Sequence, residues 1–503
     1  MKLRNINYLV FGSIMALAFI SCSKEYLDVE PKGTYLEENY YSNETQAYSG
    51  LIAIYDVLGK ESRGFENMVT MMNAGSDDHY AGGGGPDDGA GIHAFSNYSI
   101  TASTIPASYW GDYYQGIFRA NVLISKLPDI PMGEANRARF TAEAKALRGY
   151  FYFQLVRMFG NIPLIVDPLP TADIYNVEQA SKEAVYAQIE TDLEDAKSSL
   201  PDMVNLTTEA GRFSKGAVQA LLGKVYLYDG KNAQAADELA EVNGTPGGTS
   251  KYGYRLLDNF ADLWDFQNTF NSESILETTN TNQSNADWGF WGSGADEGNS
   301  INIMVGPRSY VRSSGSTAPD FAPGWSFNVF TQGFYDLIKD DPRFDATVAD
   351  LKAYEEADEI EYLHGDQDTG YYLRKFMPLN SDATTGGGVK ELNYQQHVYM
   401  IRLADTYLLE AEALGGSGAR AQALLDAVRA RVGLPSVPVS TQAIWNERRL
   451  ELAGEGHRWF DLVRTGNAAS ALSNRGFTAG KNEVLPIPLR EMENTLIVQN
   501  PNY

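Results

Sequence analysis

Leu222-Gly223-Lys224-Val225-Tyr226, a turn at Gly230-Lys231-Asn232, then Ala235 and Leu239: the fold is decided by this stretch. Small and aromatic residues at this spacing are the pattern of a tetratricopeptide-type helix-turn-helix, whose small side chains let paired helices approach closely. Leu403-Ala404-Asp405-Thr406-Tyr407 repeats the first half, and Ala423 to Val432 supplies the returning helix after a longer Gly415-Gly416-Ser417-Gly418 turn. Trp445 to Ala453 and His457 to Arg464 make a further pair, broken by Gly454 and Gly456. About three such units are the minimum for a stacked array. Phe140, Ala144, Leu147, Phe151, Leu155 and Met158 recur at steps of three and four, one apolar stripe on a core-facing helix that ends near Gly160. The expected fold is all-α: tetratricopeptide-like helix-turn-helix pairs with long inserted loops and little β structure.

Two stretches between the pairs read as long loops. Gly75 to Ser108 contains Gly82-Gly83-Gly84-Gly85-Pro86, and Thr278 to Phe327 is dense in Asn, Gly, Ser and Pro. Loops beyond about 12 to 15 residues are usually functional or disordered. Aromatic content favours function, since disordered segments are poor in such residues. Four of the seven Trp (Trp264, Trp288, Trp291, Trp325) fall within sixty-two residues, beside Phe290, Tyr310, Phe321 and Phe327. The ligand-binding insertions are therefore placed at about 76–110 and 264–330.

The 503 residues are 43% hydrophobic and 21% charged, enough to bury a large core. The formal net charge of -25 argues against nucleic acid or an anionic membrane surface as partner, because both are held by Lys and Arg. A single cysteine excludes an internal disulfide and a cysteine-based metal cage. That cysteine, Cys22, follows Lys2, Arg4, the apolar run Tyr8 to Ile20 and Ser21. Thirteen apolar residues are too few to span a bilayer and fit the core of an export signal. Residues 1–21 are expected to be a signal peptide, with Cys22 lipidated as the mature N-terminus and 22–503 forming one helical domain. Its C-terminal helical pairs occupy about 394–503. Removing 1–21 leaves 38 Lys and Arg against 65 acids, a net -27. Acids soon after the cysteine, in Ser23-Lys24-Glu25-Tyr26-Leu27-Asp28, resemble a surface-export signal of outer-membrane lipoproteins.

Candidate binding residues come from the loops. Trp288-Gly289-Phe290-Trp291 has no helical or strand period to carry all three rings into a core, so at least one ring is expected to be exposed. Flat rings beside Asn, Asp and Gln suit sugars, whose C–H faces stack while their hydroxyls take hydrogen bonds. The competing reading anchors the rings in a satellite core. Tyr310 lies between Arg308 and Arg312, which either reach a sugar hydroxyl or carboxylate or form local salt bridges. Trp325, after Pro323-Gly324, is a further candidate, whereas Trp110 belongs to a core helix. Asp77-Asp78-His79-Tyr80 opens the Gly-rich loop and either binds sugar hydroxyls or calcium, though without EF-hand spacing, or is merely solvated. Asp366 and Asp368 resemble a calcium loop, yet Met377 stands where its Glu is needed. The five His show no paired metal spacing, and no cofactor or metal is expected. Nucleophile-elbow, dinucleotide and P-loop motifs are absent. Glu447, Glu451 and Glu455, at steps of four beside Arg448, Arg449 and Arg458, read as an ion-paired helix face rather than a glycosidase pair.

Six segments together resemble the SusD/RagB family of outer-membrane nutrient-binding lipoproteins. They are Cys22 to Pro31, Glu143 to Arg148 running on to Tyr152 and Phe159 to Pro163, Gly211 to Ala217, Ile401 to Asp405, Ile444 to Asp461, and Leu485 to Pro488 with Gln499 to Tyr503. Two positions depart: Thr495 stands where the family usually has Pro, and Asn502, which tolerates the left-handed conformation, where it usually has Gly. The resemblance implies a helical body with its ligand face on inserted loops, and partnership with a SusC-like TonB-dependent outer-membrane transporter. It supplies no transferable site motif. The expected function is non-catalytic capture of an oligo- or polysaccharide at the cell surface. The alternatives are a surface glycoside hydrolase using clustered carboxylates and a tetratricopeptide-type peptide-binding adaptor.

Overall fold

The computed structural model describes residues 40–285, 287–289 and 297–503. The body is carried by α1 (Glu44–Tyr55), α2 (Ser108–Lys126), α3 (Glu134–Phe159), α4 (Lys182–Lys197), α5 (Lys215–Tyr228), α6 (Asn232–Asn243), α7 (Leu403–Ala413), α8 (Gly418–Arg431), α9 (Thr441–Glu451) and α10 (Arg458–Arg464). Ser181, Ser214 and Ser440 accept hydrogen bonds from the backbone N–H of Ala184, Ala217 and Ala443, capping α4, α5 and α9. Gly160, at φ +72°, ends α3 where the sequence places the stop.

The first nine helices pack in one array: α1 on α2, α2 on α3, α3 on α4, α4 on α5, α5 on α6, α6 on α7, and α7 on both α8 and α9. The step from α6 to α7 skips residues 244–402, so the array is continuous in space while the chain makes a long excursion. The predicted stripe on α3 is buried along its length, as is Trp110 on α2. Gly223 shows why the pattern needs small residues: a Cβ there would lie 2.5 Å from Leu239 Cγ across the α5–α6 contact. The fold class thus agrees with the expectation, and among the described residues β structure is confined to short antiparallel pairs. Examples are Ser274–Glu277 with Tyr399–Arg402, Arg308–Arg312 with Ile360–Leu363, and Val348–Asp350 with Tyr371–Leu373.

The two stretches read as irregular contain more structure than expected. Ala90–Ser96 and Ser300–Val305 are helical, and Arg308–Arg312 is a strand. Every residue of Ser300–Val305 is buried. Tertiary packing thus stabilises a turn and a half of helix that propensity alone would leave marginal.

The excursion is fastened to the helices by buried charges. Arg402, 1% exposed, donates to Glu455 Oε2 at 2.9 Å, Glu273 Oε1 at 2.9 Å and Glu451 Oε1 at 2.6 Å. Glu451 also accepts from Arg343 at 3.0 Å and from Arg431. Glu447 pairs with Arg343 and Arg429, and Glu455 with Lys375 at 2.8 Å. The acids are ion-paired, as expected, but in the interior and with distant partners. Their sequence neighbours pair elsewhere, Arg448 with Asp405 and Asp461, and Arg449 and Arg458 with Asp77. Burial alone would raise the Glu451 carboxyl, but Arg431, Arg402 and Arg343 overcome it and hold the group well below the usual carboxylate range.

Glu451→Gln removes the carboxylate charge that Arg402, Arg343 and Arg431 share in the interior and should lower stability by about 3–5 kcal/mol in urea denaturation. Glu241→Gln, which removes an exposed partner of Lys251, should change it by less than about 1 kcal/mol.

Candidate functional site

The two inserted stretches meet along a short antiparallel seam. Tyr80 N donates to Val329 O at 2.9 Å, Asn328 N to Ala81 O at 2.9 Å and Gly83 N to Ser326 O at 2.9 Å. Gly82 sits at φ +74°, and a Cβ there would lie 2.2 Å from Ser326 O, so only glycine permits the approach. A third segment joins through Asp366 N, which donates to Gly83 O at 2.8 Å.

Three aromatic rings lie in succession beside this seam, which Trp325 adjoins in the chain. Trp288 and Trp325 have centroids 6.0 Å apart with planes inclined by 31°, and Trp325 and Phe65 have centroids 6.1 Å apart at 43°. Phe327, 1% exposed, meets Phe65 edge-on at 5.3 Å and joins it to the core. Trp288 is 54% exposed, and Trp325 and Phe65 are half-buried. An exposed indole in line with two further rings leaves aromatic surface open to solvent. Arg308 holds its edge: Nε donates to Trp325 O at 3.1 Å, and Nη2 pairs with Asp88. Asp88 Oδ2 also accepts from Gly84 N at 2.7 Å, so one carboxylate joins the glycine loop to the Arg308 strand.

The structure brings Trp288, Trp325 and Arg308 together; Phe290 and Trp291 lie outside the described residues. Three other candidates are corrected. Tyr310 is 4% exposed, with its hydroxyl donated to Pro319 O at 2.6 Å, and belongs to the core beside Phe321. Asp78 and His79 are each 1% exposed, neither solvated nor open to a ligand. Asp78 is sealed by Arg449, which donates through Nε at 2.8 Å. Burial raises the Asp78 carboxyl against the pull of Arg449. Asp77 receives Arg458 at 2.8 and 2.9 Å and keeps some exposure. Tyr80 is half-buried under the Arg475 guanidinium, 4.6 Å from its ring centroid. The tetrad therefore anchors the start of the glycine loop to α9 and α10. Sequence reasoning missed Phe65 and Asp88. Asp88 carries a signal, an acid within the glycine run, whereas nothing local to Arg63-Gly64-Phe65 distinguishes that ring.

The structure defines a class of protein in which a helical array carries aromatic rings on inserted loops. Comparison with known proteins narrows the class. Residues 272–503 match the SusD family, and residues 25–227 match a family described as starch-binding, associating with outer membrane. A solved structure described as a laminarin binding SusD-like protein is 63% identical, covers 92% of this chain and 100% of its own, and superposes with a TM-score of 0.91. Surface glycan-binding protein A from Bacteroides thetaiotaomicron, solved with laminarihexaose, is 25% identical over 92% of this chain and 100% of its own, at a TM-score of 0.81. SusD-like protein P25 of Formosa agariphila is 25% identical over 98% of this chain and 97% of its own. The chain belongs to the SusD/RagB family. No helix among the described residues is long and apolar enough to cross a membrane.

His79 provides a test of the anchor. Its Nδ1 donates to Asn328 O at 2.8 Å, and Nε2 is buried without a partner among the described residues. Burial, with Arg475 adding to it against the Asn328 carbonyl, pushes the imidazole down to about 3. The unfolded chain takes up this proton below roughly pH 6.5 while the folded chain does not. Stability should therefore fall by about 1.4 kcal/mol per pH unit from this group as pH drops from 6.5 toward 3. Urea midpoints measured between pH 7 and 5 should show a shallower slope for His79→Gln.

Proposed function

We propose that this protein captures a β-1,3-linked glucan of the laminarin type on the Trp288–Trp325–Phe65 platform. The observation that carries the reading is the exposed Trp288 ring inclined over Trp325. Inclinations of 31° and 43° between neighbouring rings mean that the three faces are not coplanar, which disfavours a chain that lies as a flat ribbon. The Arg308–Asp88 pair at the edge supplies a donor and an acceptor for hydroxyl groups. The resemblance to laminarin-binding and laminarihexaose-bound relatives supports the same ligand class.

The wider role proposed is that of a non-catalytic surface lipoprotein: anchored through Cys22, facing outward, passing glycan to a SusC-like TonB-dependent transporter for nutrient uptake. Residues 1–21 serve as the export signal and 22–503 as one functional unit in this reading. Support comes from the SusD family match, the outer-membrane description of the N-terminal match, and the apolar run before Cys22.

In gels containing laminarin, the mature protein should be retarded and release no new reducing ends. Trp288→Ala and Trp325→Ala should each weaken binding by about 2 kcal/mol or more, roughly thirtyfold in affinity. Unchanged retardation in both variants would defeat the platform, and catalytic cleavage would favour the hydrolase. Cys22→Ala should shift the protein from the membrane fraction to the soluble fraction of cells, since stable anchoring depends on the acyl chains.

A further inference from the structure

A second cleft, of about 250 Å³, opens between α9, α10 and the residues after α10. Trp445, Gln442, Arg449, Arg458, Asn467 and Asp77 are among the residues lining it. Its chemistry is mixed. Trp445 contributes an aromatic wall, and its indole Nε1 is buried with no hydrogen-bond partner among the described residues. Arg449 and Arg458 spend Nε and Nη2 on Asp77 and Asp78, and Nη1 of either takes part in no hydrogen bond among the described residues. Gln442 donates its amide to Asn446 Oδ1 at 2.8 Å, and Asn467 donates its own to Thr465 Oγ1 at 2.9 Å. In both side chains the amide oxygen is left as an acceptor.

Charge narrows the ligand. The two arginines are balanced by Asp77 and Asp78, and Asp461, also in the wall, is balanced by Arg448 and Arg464. A site with no net charge gives an anion or a cation no electrostatic advantage. Polar groups along the wall disfavour an apolar ligand, which would leave them unpaired. Uncharged molecules carrying several hydroxyl groups around C–H faces satisfy ring, donors and acceptors together. We infer that this cleft is a second saccharide subsite, taking a terminal sugar unit or a short branch of an uncharged glycan against Trp445. The inference rests on the reading that the protein gathers glycan, and it places a contact point apart from the loop platform. A polymer touching both gains effective concentration at the second contact once the first is made.

The test uses the mature protein carrying isotope-labelled tryptophan, titrated with laminaribiose in millimolar excess while the indole N–H resonances are followed. Loss of one signal in Trp445→Phe assigns Trp445. The expected result is that this signal moves in Trp288→Ala as in the wild type, with midpoints agreeing within about twofold, as for independent sites. Gln442→Ala combined with Asn446→Ala, both exposed positions, should abolish the movement while Trp288 and Trp325 still respond. A stationary Trp445 signal while Trp288 and Trp325 respond would overturn the second subsite and leave the platform standing. No movement of any indole with laminaribiose or with laminarin would overturn both readings. A Trp445 signal that moves only on addition of the purified transporter would assign the cleft to a protein contact instead.

Discussion

Arg402 and Glu451 form the constraint on which the rest of this structure depends. Arg402 ends the strand that pairs with Ser274–Glu277, and Glu451 ends α9, so their 2.6 Å contact ties the returning excursion to the helical array. Neither group tolerates the interior alone. An unpaired guanidinium or carboxylate there would cost several kcal/mol, so the pair holds only with Glu273, Arg343, Lys375, Arg431 and Glu455 in place. Such a network specifies geometry more than it adds stability, because each charge accepts few arrangements of its partners.

Geometry is what the proposed binding face needs. Its rings sit on segments with long irregular stretches, and flexible segments lose conformational entropy when a ligand orders them. Here that cost is largely met on folding. Residues 79–83 are laced to 326–330, Asp77 and Asp78 are clamped by Arg449 and Arg458, and Asp88 joins Gly84 to Arg308. The two clamps share one logic: a carboxylate in a loop meets a guanidinium fixed on a strand or helix. Glycine at 82 lets the backbones touch, and the acids on either side hold them there.

The legibility of the sequence follows from where information is local. Helix pairs are legible because Gly223, Ala235 and Leu239 must meet across one turn of chain, so their spacing is written within a few residues. Exposure of Trp288 is legible for the opposite reason: no periodicity offered a core to its segment. By contrast, the fate of Asp78 depends on Arg449, 371 residues away, and no local pattern announces that partner. Burial of Tyr310 is not legible in the same way, because a five-residue strand marks two faces without saying which is covered. Phe65 enters the platform through a turn between two short helical segments, and only the assembled fold gives that ring a meaning.

The same placement of charges bears on the hydrolase alternative. Glycoside hydrolysis by the usual route needs two carboxyl groups facing one bond, one of them held protonated by a raised pKa. Glu451 and Glu455 are sealed, and although burial opposes it, their cationic neighbours hold both below the ordinary range. They are poor proton donors out of reach of a polymer. Glu61 is raised by burial, yet it is 8% exposed and its Oε1 accepts from Tyr113 at 3.0 Å and Tyr150 at 2.6 Å. At the platform itself, Asp88 is already committed to Gly84 and Arg308. An indole surface edged by a carboxylate already bonded to Gly84 and Arg308 can stack on a sugar and bond to its hydroxyls, which is the chemistry of capture rather than of cleavage.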